Sequence, residues 1–93
     1  MRFDDVMREC LAFSLSHDGV VFSHGLGPDR IGLKVHFRGA RTDVLVERGR
    51  DDEGLLWGVG SWRDWPSQRR VGTAEELRAA LLLLWEAGPR RWL

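Results

Sequence analysis

The fold is decided by the stretch Ile31-Gly32-Leu33-Lys34-Val35-His36-Phe37-Arg38, in which apolar side chains recur at every second position. A period of two predicts a strand with one face on a core, so the odd-numbered positions from 31 to 37 point inward and the side chains at 34, 36 and 38 point away. The next residues, Gly39-Ala40-Arg41, are typical of a hairpin turn. The chain is then predicted to return as a second strand over 42–47, with Val44 and Val46 directed at the same core.

Upstream of this hairpin the sequence predicts one helix and one short strand. Apolar residues at positions 3, 6, 7, 10 and 11 follow the spacing of one helix face, which indicates a helix running to about Leu15. The turn signal Ser16-His17-Asp18-Gly19 ends that helix, and Val20-Val21-Phe22 follows as a short strand. A second break, Gly25-Leu26-Gly27-Pro28-Asp29, separates this strand from the hairpin.

Downstream of the hairpin, residues 55–62 are predicted to form a third strand of the sheet. Its core face carries Leu55, Trp57 and Val59. Gly58 and Gly60 lie on the opposite face, where two alternating glycines leave a groove that another backbone or a helix can approach closely. The favoured interpretation is structural, a glycine-marked bulge or close packing of a helix on this face. The alternative interpretation is a groove that binds a ligand or partner.

The chain is predicted to end strand pairing at Pro66 and to finish in a helix. Thr73-Ala74-Glu75-Glu76 is a capping box, in which the threonine hydroxyl and the second glutamate satisfy backbone N–H groups, so the helix begins at Ala74. Gly88-Pro89 supplies the matching stop. The predicted core stripe of this helix is Leu77, Ala80, Leu81, Leu84 and Trp85. Because Leu82 and Leu83 lie off that stripe, they are the predicted self-association residues.

Together these elements predict a single α+β domain over residues 1–93. It has an N-terminal helix, an antiparallel sheet of three to four strands and a C-terminal helix packed on one face. A chain of 93 residues supports one modest core and no second domain.

Charge and cysteine content limit the classes of partner and the compartment. The 14 basic and 14 acidic side chains balance, which argues against nucleic acid as a partner because such binding depends on a field of one sign. Cys10 is the only cysteine, so a reducing compartment is the simplest setting. The chain begins with charge rather than with the apolar run of a signal peptide, and the apolar run 79–85 is too short to cross a bilayer. We therefore expect a cytoplasmic protein with no membrane partner.

No motif predicts a catalytic residue, a cofactor or a metal site. His17, His24 and His36, with Cys10, have spacings unlike any structural zinc pattern, and Cys10 is expected to be a buried, inert thiol. The run Asp51-Asp52-Glu53 is predicted to be a solvated loop. The enzymatic alternative is a small metal-independent nuclease, which requires two of the histidines to converge across the sheet.

All five tryptophans lie between positions 54 and 93, and two of them fall in Ser61-Trp62-Arg63-Asp64-Trp65-Pro66-Ser67-Gln68-Arg69-Arg70. Trp and Arg are among the residues most enriched at the hot spots of protein interfaces. Indole rings beside guanidinium groups can also stack on single-stranded bases. A purely structural interpretation is that both indoles close one edge of the core. Among the functional interpretations we favour a protein-binding surface made of Trp62, Arg63, Trp65, Arg69 and Arg70.

At this point the last third of the chain resembles a known family. The order Trp62-Arg63-Asp64-Trp65-Pro66, then a capped helix over 73–87, then Gly88-Pro89-Arg90-Arg91-Trp92, is similar to the C-terminal part of small actinobacterial immunity proteins of polymorphic toxin systems. The resemblance implies a cytoplasmic, non-enzymatic protein that neutralises a toxin through one tight interface. The chain lacks the His-x-Glu and Pro-Cys-x-x-Cys signatures of a zinc deaminase toxin. The predicted function is therefore protein binding, as an antidote or a regulatory adaptor, with the nuclease and a structural homo-oligomer such as a homodimer as alternatives.

Overall fold

We describe the protein from a computed structural model, which covers residues 1–23, 25, 31–40, 42–49 and 56–92, the last five as backbone alone. Within these residues the elements follow in the order α1 (Phe3–Ser16), β1 (Gly19–Ser23), β2 (Gly32–Phe37), β3 (Val44–Arg48), β4 (Trp57–Ser61), a 3-10 helix (Trp62–Ser67), β5 (Arg69–Val71) and α2 (Ala74–Trp92). Five of the sequence predictions fall wholly or partly on residues outside the described ones: His24, the break over 25–29, Arg41, Asp51-Asp52-Glu53 and Leu55.

The strands form an antiparallel meander in which each strand pairs with the next, in the order β1 to β5. The predicted α+β class with a helix at each end is confirmed, but the described residues form five strands where three to four were predicted. The additional strand is β5, because Pro66 does not end pairing as expected. Pro66 lies in the 3-10 helix, where a proline is tolerated. The chain reverses there and pairs with β4, which places Val71 opposite Trp57.

One face of the sheet carries the core, and both helices lie on it. α1 packs on β1 and β2, α2 packs on β4 and β5, and the two helices contact each other. The register aligns the inward side chains, since Val35 lies opposite Val44 and Leu33 lies opposite Val46. The largest fully buried side chains come from both helices and from three strands: Val6, Cys10, Leu33, Val35, Val46, Trp57, Val59, Leu77 and Leu81.

The helix layer is joined by polar and aromatic contacts. The Arg78 guanidinium donates to the Glu9 carboxylate at 3.0 Å. The His17 ring stacks on Phe13, with ring centroids 3.8 Å apart, and meets Trp85 edge-on at 4.7 Å. Because these contacts run directly from α1 to α2, the two helices form one layer over the sheet.

The start of α2 follows the sequence prediction, whereas its end does not. The Glu76 N–H donates to the Thr73 hydroxyl at 3.1 Å, which confirms the capping box, although the Glu76 carboxylate accepts from the Gly72 N–H rather than from the Thr73 N–H. The predicted stop at Gly88-Pro89 is wrong, because α2 continues to Trp92. Pro89 supplies no N–H to the helix, and a proline inside a helix is normally unfavourable. The backbone nevertheless stays helical through it.

Candidate protein-binding surface

The 3-10 helix carries three of the five residues of the predicted protein-binding surface, Trp62, Arg63 and Trp65, and it lies between β4 and β5. At its start, the Ser61 hydroxyl accepts from the Arg63 N–H at 3.2 Å, and the Trp62 N–H donates to the Asp43 carbonyl oxygen at 2.9 Å. At its end, the Gln68 N–H donates to the Trp65 carbonyl at 3.0 Å. The predicted third strand therefore ends at Ser61, and Trp62 begins the 3-10 helix instead of finishing the strand.

The two glycines of β4 explain why this helix lies where it does. A Cβ at Gly60 would stand 3.1 Å from the Cα of Gln68 and 3.3 Å from the Trp65 ring, and a Cβ at Gly58 would overlap the Gln68 side chain. The prediction that another backbone segment approaches closely at Gly58 and Gly60 is therefore confirmed. The segment is the 3-10 helix with the Gln68 that follows it. It covers β4 on the sheet face opposite to the α-helices.

The two indoles of the segment have different environments. Trp65 is half-buried against the glycines of β4, so the structural interpretation applies to it. Trp62 lies on the outer side of the same short helix and is 53% exposed. Trp65 thus supports the surface, and Trp62 is the indole that a partner would meet first.

Three arginines extend this surface across the edge of the sheet. Arg63, Arg69 and Arg70 are all exposed. In the described part of the chain none of them forms a salt bridge, whereas Arg8, Arg38 and Arg78 each lie within 3.9 Å of a carboxylate oxygen. The net charge of the whole chain is zero, so this is a local excess of positive charge rather than a long-range field.

A groove of about 440 Å³ runs between β5 and α2, next to these arginines. Arg69 and Arg70 line one wall, and Glu76, Ala79 and Leu83 line the other. Leu82, the other predicted self-association residue, does not line it. Both leucines are exposed. Because successive residues on a helix differ by about 100° in direction, Leu82 and Leu83 face different sides of α2.

Of the three histidines that the nuclease alternative considers, the two described ones, His17 and His36, are not brought together. His17 lies in the helix layer, with its Nδ1 2.9 Å from the Phe13 carbonyl oxygen. His36 lies on the opposite face of the sheet, where its Nδ1 is 2.7 Å from a carboxylate oxygen of Asp43. The sheet therefore separates the two rings, and His24 lies outside the described residues.

His36 belongs to a small polar cluster that the sequence interpretation missed. The Lys34 ammonium lies 3.9 Å from the other carboxylate oxygen of Asp43 and 5.3 Å from the centre of the Phe22 ring. The register of the predicted hairpin could have indicated this cluster, because pairing Val35 with Val44 places Asp43 opposite His36. His36 is exposed and Lys34 and Asp43 are partly exposed. Their contacts connect β2 to the start of β3 on the sheet face opposite to the α-helices, which we call the open face.

Two further observations limit the chemistry of the described residues. No three His, Cys, Asp or Glu side chains among them lie close enough together to hold a metal ion. Cys10 is buried, as predicted, and burial together with the nearby Glu9 charge raises the pKa of its thiol to about 12. A thiol that stays protonated at neutral pH is a poor nucleophile and a poor metal ligand.

Comparison with protein-family models, with curated proteins and with solved structures gives no match to this chain. No helix in the described part of the chain is both long enough and apolar enough to span a bilayer. The surface geometry is therefore the basis for a functional proposal.

Proposed function

We propose that the protein is a non-enzymatic protein-binding domain that recognises an acidic surface on its partner. Its contact residues are Trp62, Arg63, Arg69 and Arg70, which we call the Trp/Arg surface, with Trp65 as its support. The observation that carries the proposal is one exposed indole on a short helix between β4 and β5, together with three exposed guanidinium groups that pair with no described carboxylate.

Association of two proteins costs conformational entropy. Ordering flexible side chains and loops opposes association, so a contact residue on a segment fixed at both ends loses little conformational freedom. Trp62 is on such a segment, because its N–H donates to the Asp43 carbonyl and the segment is continuous with β4 at one end and leads into β5 at the other. A tryptophan that becomes fully desolvated at the centre of an interface is a typical hot spot.

The arginines define the chemistry of the partner. A guanidinium group binds a carboxylate in a bidentate way and also stacks on planar groups. Arg69 and Arg70 point to opposite faces of β5, since Arg69 lies opposite Val59 and Arg70 lies opposite Gly58. An acidic segment crossing this edge can therefore meet a cation on either side. The neutral net charge of the chain favours a protein carboxylate over a nucleic-acid backbone.

The biological role that we propose is that of an antidote or a regulatory adaptor in a bacterial cytoplasm. The resemblance of the last third of the chain to immunity proteins supports the antidote, with a toxin as the acidic partner. Such a function requires one tight interface, and the Trp/Arg surface is the one that we assign to it.

The experiment that tests this proposal compares wild-type protein and Trp62→Ala as baits for capture from a lysate of the source cells. The captured partner is then titrated calorimetrically against both proteins. We expect one stoichiometric partner for wild type, and Trp62→Ala should weaken binding by more than about 2 kcal/mol while the variant stays folded.

Charge reversal supplies a matched control. Arg69→Glu should weaken the same complex strongly, whereas Arg8→Glu makes the same change of charge on α1, away from the Trp/Arg surface, and should leave affinity within a few tenths of a kcal/mol. Equal affinity for wild type, Trp62→Ala and Arg69→Glu would remove the Trp/Arg surface as the contact site.

A further inference from the structure

β1 is an edge strand of the sheet, and its free side presents unpaired backbone groups. The Arg38 N–H donates to the Asp18 carbonyl at 3.1 Å, just before β1, and hydrogen-bonded pairs alternate along an antiparallel ladder. The N–H and C=O groups of Val20 and Phe22 therefore point to β2, and those of Gly19, Val21 and Ser23 point outward. No other described residue pairs with these outward groups.

The sequence of β1 contains none of the features that normally protect an edge. Lysine, proline, bulges and inward charges are the usual protection against edge-to-edge pairing, whereas β1 reads Gly-Val-Val-Phe-Ser. The other edge, β5, carries Arg69 and Arg70, so two copies meeting there would repel each other. The charge distribution thus opposes self-pairing at β5 and permits it at β1.

Exposed apolar side chains border the β1 edge on both faces of the sheet. On the open face, Val20 and Phe22 are each about half exposed. On the helix face, Leu11 and Leu15 are 46% and 87% exposed. The two leucines lie on the side of α1 away from α2, because Leu11 is about 160° around the helix from Glu9, which contacts α2.

We propose that β1 pairs with β1 of a second copy of this chain, antiparallel and with a two-fold axis at Val21. This surface is independent of the Trp/Arg surface. The register is self-complementary: Val21 meets Val21 of the second copy, and Gly19 meets Ser23, so the outward backbone groups of one copy meet those of the other as hydrogen-bonded pairs. The five-stranded sheet becomes a continuous sheet of ten strands.

The side chains fit the same arrangement. On the open face, Val20 lies opposite Phe22 of the second copy, an apolar cross-strand pair. A two-fold axis perpendicular to the sheet keeps α1 of both copies on the same face. Strands are about 4.8 Å apart, and α1 lies over β1 and β2, so the two α1 axes are on the order of 10 Å apart, the distance at which helices pack. The sides that carry Leu11 and Leu15 then face each other.

The test is the oligomeric state of three proteins, measured by sedimentation over a range of concentrations. Wild type should self-associate to twice the chain mass, and Leu11→Glu should weaken that association by at least about tenfold. Leu82→Glu is the matched control, because Leu82 is also exposed, at 40%, and also follows an arginine by one helical turn. A monomeric wild type overturns the proposal, as does a dimer that Leu82→Glu dissociates and Leu11→Glu does not.

Amide hydrogen exchange provides a second readout at the strand itself. In the wild-type dimer the Val21 amide should be protected like its neighbours Val20 and Phe22. In monomeric Leu11→Glu it should exchange fast while those neighbours stay protected by β2. This alternation also shows that the variant is folded. Fast exchange at Val21 in a wild-type dimer would place the interface elsewhere and overturn the proposal.

Discussion

Gly58 and Gly60 hold the 3-10 helix against the sheet, and they tolerate a side chain to different degrees. At Gly60 an added methyl group meets backbone, the Cα of Gln68, whereas at Gly58 it meets mainly the terminal oxygen of a flexible side chain. We expect Gly60→Ala to lower the free energy of unfolding by about 1–3 kcal/mol, because the 3-10 helix must shift. Gly58→Ala should cost less, since the Gln68 amide can rotate away. Urea denaturation of both variants measures the difference.

The control for these two variants is Gly25→Ala. A Cβ at Gly25 meets no described atom within 4 Å, and its backbone is not in the left-handed region. Its substitution should therefore be neutral or slightly stabilising, because alanine restricts the unfolded chain. If Gly60→Ala were as stable as Gly25→Ala, the 3-10 helix would not be held by close contact with β4.

At the level of elements, the capping box fixes the start of α2. The Thr73 hydroxyl accepts from the Glu76 N–H and donates to the Glu76 carboxylate, each at 3.1 Å. Thr73→Ala should lower the free energy of unfolding by about 1 kcal/mol in thermal or chemical denaturation. Thr42→Ala, an equivalent change at a threonine with no described hydrogen bond, should have almost no effect.

The two residues of the box should also be coupled. Since Thr73 and Glu76 contact each other, the double alanine variant should lose less stability than the sum of the two single variants. Additive losses would show that the two side chains act on the helix start independently.

The same elements show which parts of the fold the sequence predicts. α1, the β2–β3 hairpin and the start of α2 depend on periodicity and local capping, and all are predicted close to their observed positions. β5 is missed because three residues, two of them arginine, form a strand only through pairing with β4. The end of α2 is missed because Gly88-Pro89 is a typical local stop signal, and nothing in the local sequence indicates that the helix continues through it to Trp92.

At the scale of the whole molecule, the two faces of the sheet are covered by different elements. The α-helices cover one face, and the 3-10 helix with the hairpin cluster occupies the other. The sequence indicated the Trp/Arg surface by composition, but only the folded arrangement distinguishes the exposed Trp62 from the supporting Trp65. The folded arrangement also places His17 and His36 on opposite faces of the sheet. That placement depends on tertiary packing, which the local sequence does not specify.

The response of stability to alkaline pH is the last property of the whole molecule that the structure predicts. The chain contains no tyrosine and a single lysine, and arginine stays protonated to very high pH. Few other groups therefore titrate where the Cys10 thiol does. Burial, followed by the charge of Glu9, raises the pKa of that thiol from 9.0 to about 12 in the folded protein.

The sign of the effect follows from proton binding. Between pH 9 and about pH 12 the unfolded chain releases the Cys10 proton while the folded protein keeps it, so stability decreases as pH rises and is unaffected below pH 9. Wild type should lose about 1.4 kcal/mol of unfolding free energy between about pH 8 and pH 10 in chemical denaturation under reducing conditions. Cys10→Ala is expected to be less stable at every pH because of the cavity, yet its stability should change far less over this interval. Parallel pH curves for the two proteins would mean that Cys10 ionises in the folded state as readily as in the unfolded chain, and that its site in the core is accessible to water.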